Sequence, residues 1–262
     1  MPANDTVLLE RTVSGMAIVK LNRPRVLNAI NRECLERLLD VFEEVRRDST
    51  IRIVIFTGQG NRAFSAGADI QYLNQATPLE IREFARLALR VTRTIETLGK
   101  VVIAVIKGYA LGGGLELAEA CMFRIASTDA KLGHPEVKIG AVAGWGGTAR
   151  LPRLVGRTKA TEMLLTGKII TAEEAYEIGL VNKIGSADDV MTLAEALADD
   201  ILKCAPRAVW LSWEAIQKGM NMGVEEALEL GADYFSLAAT TKDFREGTGA
   251  FLQKRKPKYR GL

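Results

Sequence analysis

Three segments of the sequence combine carboxylates with glycine-rich or small-residue turns. One is GYALGGGLELAEA, residues 108–120, in which three consecutive glycines precede Glu116. If a helix begins near Gly113 or Gly114, its first N–H groups lack partners within the helix and carry partial positive charge, which suits an anion or a polarised oxygen. Glu116 then lies in the first turn, with its side chain leaning back toward the same helix end. The alternative is a tight strand-to-helix connection in which Glu116 only complements the helix dipole.

The second segment, NRAFSAGADIQYL at residues 61–73, follows the predicted strand IRIVIFTG. Its small residues at 65–68 leave backbone N–H groups accessible. Two such loops at the carboxyl ends of neighbouring strands can therefore direct two donors to one oxygen. The alternative is an ordinary turn that carries a surface Asp69. The segment is not a phosphate-binding P-loop, because the GxxxxGK[ST] pattern does not occur in the sequence.

The third segment, KLGHPEVKIGAVAGWGGTARL at residues 131–151, sets Glu136 between Pro135 and Val137 in apolar surroundings. A buried glutamate is costly unless it is paired or used in chemistry, and Pro135 stiffens its position. Glu136 is therefore a candidate acid or base. A structural hydrogen-bond acceptor is the other interpretation, and His134 is interpreted as a packed or surface histidine rather than as a base.

The elements that must position these segments alternate between strands and helices. VLLERTV and MAIVKLN, joined around Ser14-Gly15, predict a hairpin. In NRECLERLLDVFEEV the apolar residues recur at helical spacing, and Asn31 is the expected N-cap. IRIVIFTG and VVIAVIKG predict buried strands, and between them a helix opens at Thr77-Pro78 and runs to about Leu98. This order predicts an α/β core with parallel strand pairing.

The rest of the chain is mostly helical. FRIAS at 123–127 and VNKI at 181–184 predict short strands, and residues 171–174, TAEE, form a capping box. Amphipathic helices are predicted near residues 187–203, 206–220, 224–238 and 241–252. The sequence contains no internal repeat, low-complexity tract or flexible linker, so the residues alone give only weak support for a separate domain boundary.

Composition excludes several classes of protein. With 48% hydrophobic and 26% charged residues, the 262-residue chain is expected to be globular rather than disordered. A formal charge of +3 is too balanced to indicate a nucleic-acid partner, and the single histidine excludes a multi-histidine metal site, so no metal is expected. Three cysteines without CxxC spacing, no leader and no apolar run long enough to span a bilayer predict a cytoplasmic protein.

Taken together, the three segments resemble the crotonase superfamily, and within it the enoyl-CoA hydratases. AFSAGADI is similar to the family's first oxyanion-hole loop, GYALGGGLEL to its second, and GHPEVKIGAVAGWGGTARL to its second catalytic-glutamate segment. NRPRVLNAI at 22–30 is similar to the coenzyme A loop, and FLQKRKPKY to the C-terminal end. The resemblance covers nearly the whole chain, with its segments in the family's order.

The resemblance implies a fold and an assembly. It implies an α/β, crotonase-like spiral of repeated β-β-α units over residues 1–197, and a helical C-terminal part over residues 198–262 that is used in trimerisation. It further implies a homo-oligomer, either a trimer or a dimer of trimers. The strand order predicted from the residues is compatible with this fold but does not reveal the spiral.

Carried over residue by residue, the resemblance implies roles for particular groups. The N–H groups of Ala68 and Gly113 bind the thioester oxygen, while Glu116 and Glu136 hold and activate a water molecule. The implied contacts to the coenzyme A part of the substrate are Arg25, Val26, Leu27, Ala66, Asp69, Ile70, Gln71, Phe251 and Lys254. The last two of these approach coenzyme A bound to a neighbouring subunit.

Two positions depart from the family pattern. Gln71 stands where many relatives have a lysine, which puts one phosphate contact in doubt. Trp145 replaces a small residue, and it is expected either to narrow the acyl pocket or to fill the core.

The residue types fit the addition of water across the 2,3 double bond of an enoyl-CoA thioester. Negative charge develops on the carbonyl oxygen, where two preorganised N–H donors stabilise it. One carboxylate takes a proton from water and the other delivers a proton to carbon 2, with Glu116 expected as the base and Glu136 as the acid. No metal or redox cofactor is expected, and coenzyme A enters as part of the substrate.

Other activities stay open from the sequence. Isomerisation, hydration of a cyclic dienoyl-CoA and thioester hydrolysis are sibling reactions, and isomerases of the superfamily generally use one glutamate, so that two favour hydration. The cations of LQKRKPKYRGL and the existence of RNA-binding relatives suggest a nucleic-acid module. Aromatic and basic residues are not interleaved as RNA recognition requires, so neither a nucleic-acid nor a membrane partner is expected.

Overall fold

The computed structural model describes residues 5–12 and 15–261. The chain divides into two compact units, Met1–Glu195 and Ala196–Leu262. Within the described residues, all strands and the main hydrophobic core belong to the first unit, and the second unit is helical. The architecture is therefore mixed α/β with a helical C-terminal part, as the sequence predicts.

Strands and helices are numbered in chain order. The strands are β1 Val7–Arg11, β2 Met16–Leu21, β3 Ile53–Gly58, β4 Ala63–Ser65, β5 Val101–Ile106, β6 Tyr109–Leu111, β7 Phe123–Ser127, β8 Lys131–Gly133, β9 Ile169–Thr171 and β10 Lys183–Gly185. The α-helices are α1 Arg32–Arg47, α2 Ile70–Gln75, α3 Pro78–Glu96, α4 Gly113–Glu119, α5 Gly147–Val155, α6 Arg157–Thr166, α7 Ala172–Glu177, α8 Val190–Leu202, α9 Pro206–Gly219, α10 Val224–Ala239 and α11 Lys242–Leu252. Short 3-10 helices lie at Pro24–Val26 and Glu136–Ile139.

The larger sheet of the first unit forms the centre of the core. Its strand order is β1-β2-β3-β5-β7-β10, and only the β1–β2 pair is antiparallel. β3 and β5 are buried along their whole length, as expected for central parallel strands covered on both faces. The buried apolar faces of α1 and α3 complete this core.

The smaller sheet brings the three candidate segments together. Its order is β4-β6-β8-β9, and the first three strands run parallel, with Ser65 paired to Ala110 and Leu111 to Gly133. Each of these three strands forms the first part of one candidate segment, so the rest of each segment leaves the same edge of the sheet. The strands are three residues long, too short for a periodicity to appear in the sequence, and they were not predicted.

Local signals in the sequence determine where several helices begin. Asn31 caps α1 by accepting a hydrogen bond at 3.0 Å from the N–H three residues later. Thr77 and Glu80 form a capping box at the start of α3, and Thr171 and Glu174 form another at α7. The predicted helix starts at Asn31, Thr77 and Thr171 are thereby confirmed.

Other local predictions are confirmed in part. The hairpin strands β1 and β2 pair antiparallel as predicted, with Val7 opposite Leu21, while Ser14 of the predicted turn lies outside the described residues. The strand predicted at 181–184 is β10, which begins two residues later, at Lys183. Helix α2 was not predicted, because its 6 residues are too few to show an apolar period.

The second unit contains the helices predicted near residues 206–220, 224–238 and 241–252. α9 and α10 pack together, and Lys218 Nζ donates a hydrogen bond to the Tyr234 hydroxyl at 2.6 Å. The last residues fold back on α11, because the N–H groups of Arg260 and Gly261 donate to the Asp243 carboxylate at 2.8 and 2.7 Å. Across the described residues, the helices are all too short or too polar to cross a bilayer.

Candidate active site

Two neighbouring loops present backbone amides at the edge of the smaller sheet. Ala68 is held in a parallel bridge with Ile30, whose N–H donates to the Gly67 carbonyl at 2.8 Å. Gly113 is the first residue of α4, and a Cβ built on Gly67 would lie 3.5 Å from its amide nitrogen. Within the described residues, neither the Ala68 N–H nor the Gly113 N–H has a hydrogen-bond acceptor. Both donors are therefore free for an external oxygen.

The glycines between β6 and α4 are required by geometry. Gly112 has a φ of +50°, and a Cβ at this position would lie 3.0 Å from the nearer Glu136 carboxylate oxygen. A Cβ at Gly113 would come within 2.3 Å of the Trp145 ring, closer than any packed side chain allows. Glycine at these positions admits an unusual backbone turn at Gly112 and lets an indole lie directly on Gly113.

Glu116 lies in the first turn of α4 and is buried, with 1% of its surface exposed. Its Oε1 accepts hydrogen bonds from the N–H groups of Trp145 and Gly147, both at 2.7 Å. Gly147 is the first residue of α5, so the carboxylate also faces the positive end of that helix. Burial raises the pKa of Glu116 to about 7 and outweighs the hydrogen bond from Gly147, which lowers it.

Arg150 fixes the segment that holds Glu116. Its guanidinium donates to both carboxylate oxygens of Glu96, at 2.6 and 3.0 Å, and to the Trp145 carbonyl at 2.9 Å. Glu96 is the last residue of α3, whereas Arg150 lies in α5. This bidentate ion pair links α5 to the end of α3. Together with the bond to the Trp145 carbonyl, it fixes the direction of the Trp145 N–H.

Glu136 begins the 3-10 helix that follows β8. Its two carboxylate oxygens are buried and have no hydrogen-bond partner within the described residues. The closest charged group is His134, whose Nδ1 lies 3.5 Å from Glu136 Oε1. This distance is too long for a well-formed hydrogen bond but short enough for strong electrostatic attraction. The Glu136 carboxylate is thus buried, and no donor among the described residues uses its lone pairs.

The two glutamates and the two amides surround the start of α4. Glu136 lies against Gly112, the residue that caps α4, and Glu116 follows in the first turn of the same helix. Gly113 supplies one free amide, and the adjoining loop supplies the other at Ala68. Such a set can polarise a carbonyl oxygen through the amides while two carboxyl groups exchange protons with water and carbon.

A model of the enoyl-CoA hydratase/isomerase family matches residues 11–261. The chain belongs to this family. Its structure superposes on an enoyl-CoA hydratase from Bacillus anthracis with a TM-score of 0.94 and 35% identity, covering 98% of this chain and 100% of the other. The resemblance to the crotonase superfamily is confirmed, and the chain has the fold of the enoyl-CoA hydratases.

Two curated relatives match over nearly their full length. A crotonyl-CoA hydratase from Syntrophomonas wolfei is 42% identical over 257 residues, which are 98% of this chain and 98% of the relative. A short-chain-enoyl-CoA hydratase from Clostridium acetobutylicum is 42% identical over 252 residues, 96% of each chain. Both relatives are named for the addition of water to an enoyl-CoA.

The segment matched to the family's coenzyme A loop joins the first amide loop. Asn28 is buried, and its side-chain amide donates to the carbonyls of Ala63 at 2.8 Å and Gln59 at 3.2 Å. The N–H of Ala66 donates to the Leu27 carbonyl at 2.9 Å. These bonds fix the loop to β4 and place Leu27 beside Ala66.

The remaining expected coenzyme A contacts are accessible. Arg25, Val26, Ile70 and Gln71 are exposed, while Asp69 is half-buried and pairs with Arg23 at 3.1 Å. Asp69 is therefore not the free surface residue of the simpler turn interpretation. It also caps α2 by accepting from the Gln71 N–H at 3.2 Å.

Trp145 lies in the core, and its ring also contacts the candidate site. It is 6% exposed and packs edge-on against Phe84, with ring centroids 5.2 Å apart. Because the same ring covers Gly113, core packing and a wall of the acyl site are compatible roles. Phe251 and Lys254 lie in the second unit, at and just after the end of α11, and both are exposed.

Sequence reasoning did not assign a role to four residues of the site: Asn28, Glu119, His134 and Arg150. His134 was expected to be packed or on the surface, and it is buried, with Nε2 2.8 Å from Glu119 Oε1. A signal for this pair exists in retrospect, since Glu119 lies one turn after Glu116 on α4. In the described part of the chain, no cluster of three or more His, Cys, Asp or Glu side chains could hold a metal ion.

Proposed function

We propose that the protein is an enoyl-CoA hydratase, a hydro-lyase that adds water across the 2,3 double bond of an enoyl-CoA thioester. The observation that carries the proposal is the pair of buried carboxyl groups, Glu116 and Glu136, beside the two unpartnered amides of Ala68 and Gly113. The names of the curated relatives support the same reaction.

The reaction follows from these groups. The amides of Ala68 and Gly113 bind the thioester carbonyl oxygen, on which negative charge grows as the water oxygen bonds to carbon 3. Glu116 accepts a proton from that water, and Glu136 gives a proton to carbon 2, which restores a saturated bond. Removing one donor of such an oxyanion hole typically costs about 10²–10³ in turnover.

The environment of Glu116 suits a group that gains and loses a proton in each cycle. Its pKa is raised to about 7 by burial, so both protonation states are accessible near neutral pH. The two N–H donors on Oε1 fix that oxygen in place. The second oxygen, Oε2, is then available to orient the water.

Coenzyme A is part of the thioester substrate, and the hydration reaction requires no further cofactor. We assign the binding of coenzyme A to two loops, through Arg25, Val26 and Leu27 of one and Ala66, Asp69, Ile70 and Gln71 of the other. Gln71 offers a neutral amide where many relatives carry a lysine. Phe251 and Lys254 are assigned to coenzyme A on a neighbouring subunit of a trimer or a dimer of trimers. We assign the protein to a reducing, cytoplasmic setting, in which the buried thiols of Cys34 and Cys121 stay reduced.

The observations favour hydration over nucleic-acid binding. Arg255 of the basic C-terminal segment makes a two-pronged ion pair with Glu246, and the Lys258 N–H donates to the same carboxylate at 2.7 Å. The Glu246 carboxylate thus neutralises part of the positive charge that binding to RNA phosphates would need.

The proposal is tested by following crotonyl-CoA hydration with the parent enzyme and with Glu116→Gln and Glu136→Gln. Each substitution keeps the side-chain volume and removes one proton-transfer group, so turnover is expected to fall by at least about 10²-fold. Binding of a saturated acyl-CoA, measured by calorimetry, is expected to survive. Hydration within tenfold of the parent for either variant would remove that glutamate from the mechanism.

A panel of linear, branched and cyclic enoyl-CoA thioesters then defines the substrate. Product analysis separates hydration from the sibling reactions, because isomerisation gives a moved double bond and thioester hydrolysis gives free coenzyme A. If the parent protein converts a panel member only by one of these routes, the proposed reaction is wrong while the family assignment stands.

A further inference from the structure

A depression between helices α3 and α5 is lined mainly by arginines. It has a volume of about 400 Å³, and its wall includes Arg90 and Arg93 of α3 and Arg150 of α5. Arg86 also borders it, but its guanidinium is paired within α3. Leu89, which is 41% exposed, adds an apolar surface. A space of this size is in the range that holds a small molecule.

The arginines of the α3/α5 depression are not balanced by carboxylates. Its wall contains Glu96, whose two oxygens both accept hydrogen bonds from Arg150. Arg90 and Arg93 form no ion pair with any side chain in residues 5–12 and 15–261. They are three residues apart on α3, so they share a face of the helix and repel each other. Three cations therefore face one carboxylate, which leaves two positive charges for an external anion.

Carboxylates on the neighbouring helix do not supply this balance. Arg90 and Arg93 also border a second depression, of about 590 Å³, whose α1 wall carries Glu36, Asp40 and Glu43. In the described part of the chain, none of these three carboxylates forms an ion pair with either arginine. Glu36 and Glu43 pair instead with arginines of α1 itself.

The guanidinium of Arg150 is held in place before any ligand arrives. Its side chain is 17% exposed, and it donates two hydrogen bonds to Glu96 and one to the Trp145 carbonyl. A guanidinium carries five N–H donors, so two of them remain for other acceptors. An arginine with a fixed orientation and unused donors is well suited to bind phosphate oxygens.

We propose that the α3/α5 depression binds a small molecule that carries two phosphate groups, through Arg90, Arg93 and the remaining donors of Arg150. Two phosphates balance the two positive charges, and guanidinium groups pair with phosphate oxygens through two parallel hydrogen bonds. Inorganic diphosphate and a nucleoside diphosphate share this chemistry. In the second case, the nucleoside contacts the exposed side chain of Leu89.

The bound anion also acts on the proposed active site through Arg150. Arg150 donates to the Trp145 carbonyl at 2.9 Å, and the Trp145 N–H donates to Glu116 Oε1 at 2.7 Å. A phosphate on Arg150 competes with Glu96 for the same guanidinium, and this loosens the segment that holds Glu116. Occupancy of the depression is therefore expected to lower the kcat of hydration. This effect rests on the proposed function, whereas the binding site itself does not.

Binding is measured by calorimetry with inorganic pyrophosphate, ADP and AMP, without divalent cations. The protein is first saturated with butyryl-CoA, which has no double bond to hydrate and which fills the coenzyme A site. We expect one pyrophosphate to bind per chain, and AMP, with a single phosphate, to bind about tenfold more weakly or less tightly still. ADP binding that is tighter than pyrophosphate binding identifies a nucleotide as the ligand, and equal binding identifies the phosphates alone.

Arg90→Gln is the test variant, and Arg82→Gln is its matched control. Both arginines are exposed on α3 and form no ion pair among the described residues, but Arg82 does not border the α3/α5 depression. Each substitution removes one positive charge. Arg90→Gln is expected to weaken pyrophosphate binding about tenfold or more, while Arg82→Gln should bind pyrophosphate as the parent does.

Two results of the calorimetry would overturn the binding site. Equal weakening by Arg82→Gln and Arg90→Gln would show that pyrophosphate responds only to the overall charge of the helix. Absence of binding to the protein saturated with butyryl-CoA would show that the depression does not hold the anion.

The effect on catalysis is tested by crotonyl-CoA hydration at saturating substrate. Saturating pyrophosphate should lower kcat of the parent about fivefold or more, and Arg90→Gln should need about tenfold more pyrophosphate for the same effect. An unchanged kcat with pyrophosphate bound overturns the effect through Arg150. If pyrophosphate binds as expected but the parent does not hydrate crotonyl-CoA, the proposed function fails and the binding site stands.

Discussion

The two proposed catalytic glutamates differ in the hydrogen-bond donors and charged groups that surround their carboxyl groups. Glu116 receives two backbone N–H donors, which favour the carboxylate, yet its burial outweighs them and raises its pKa. Glu136 receives no donor from the described residues and instead lies beside His134. Different environments around two similar side chains are a common way to assign acid and base roles.

The raised pKa of Glu116 has a cost in stability that depends on pH. A carboxyl group whose pKa is higher in the folded state binds protons more tightly there, so its stabilising contribution is complete below its ordinary pKa of 4.5 and is lost as pH rises through about 7. A shift of this size corresponds to about 3 kcal/mol.

Glu116→Gln is therefore expected to stabilise the protein at pH 8 while it abolishes hydration. The glutamine oxygen still accepts from the Trp145 and Gly147 amides, but no buried charge is left above pH 7. Urea unfolding at pH 8 should show a gain of up to about 3 kcal/mol over the parent, with little gain at pH 4.5. Equal stabilisation at both pH values would mean that ionisation of Glu116 is not the cause.

At the scale of elements, the site depends on three short parallel strands. β4, β6 and β8 each lie near the start of a candidate segment, and their pairing places the segments side by side. The larger sheet packs behind these strands and contributes buried apolar side chains to the core. Chemistry is thus located where strands leave the smaller sheet, which is the common position for sites in α/β proteins.

Arg150 joins two helices at the back of this site, and a lysine cannot replace it. Arg150→Lys keeps a positive charge but loses the two-pronged contact with Glu96 and the bond to the Trp145 carbonyl. The Trp145 N–H that holds Glu116 then loses its fixed orientation. We expect kcat of crotonyl-CoA hydration to fall by up to about 10²-fold, with a smaller change in KM.

Arg86→Lys on α3 is the control for Arg150→Lys. Arg86 makes an exposed ion pair with Glu83, and such pairs contribute little to stability. Its replacement should leave both kcat and the urea midpoint near the parent values. If Arg150→Lys behaves in the same way as Arg86→Lys, the Arg150–Glu96 pair does not position Glu116.

The sequence predicted the features that depend on neighbouring residues. Asn31 and Thr171 cap their helices, and Gly113 begins α4, because these signals act over a few positions. Helical spacing places Glu119 one turn after Glu116, but its contact with His134 joins residues 15 apart in the sequence and depends on how the segment after β8 packs against α4. Arg150 and Glu96 are 54 residues apart and were missed for the same reason.

On the scale of the whole molecule, the described residues fall into two units with different surfaces. The first unit contains both glutamates and both amides, so the proposed chemistry needs only one chain. In the second unit, α10 exposes Leu228 and Phe235 at 64% and 69%, and the end of α11 exposes Phe251 at 83%. Large apolar side chains exposed together are typical of surfaces that bind another protein. This supports the proposed homo-oligomer, in which Phe251 and Lys254 reach coenzyme A on a neighbour.

Phe235→Glu is expected to produce smaller species in sedimentation velocity than the parent protein. Because Glu116, Glu136, Ala68 and Gly113 lie in one unit of a single chain, kcat at saturating crotonyl-CoA should largely survive. KM should rise about tenfold, equivalent to about 1.4 kcal/mol, since contacts from the neighbouring subunit are lost. Leu165→Glu, which places the same charge on an exposed residue of α6, should change neither sedimentation nor KM. A dissociated Phe235→Glu protein with the parent KM would show that coenzyme A binds to one chain alone.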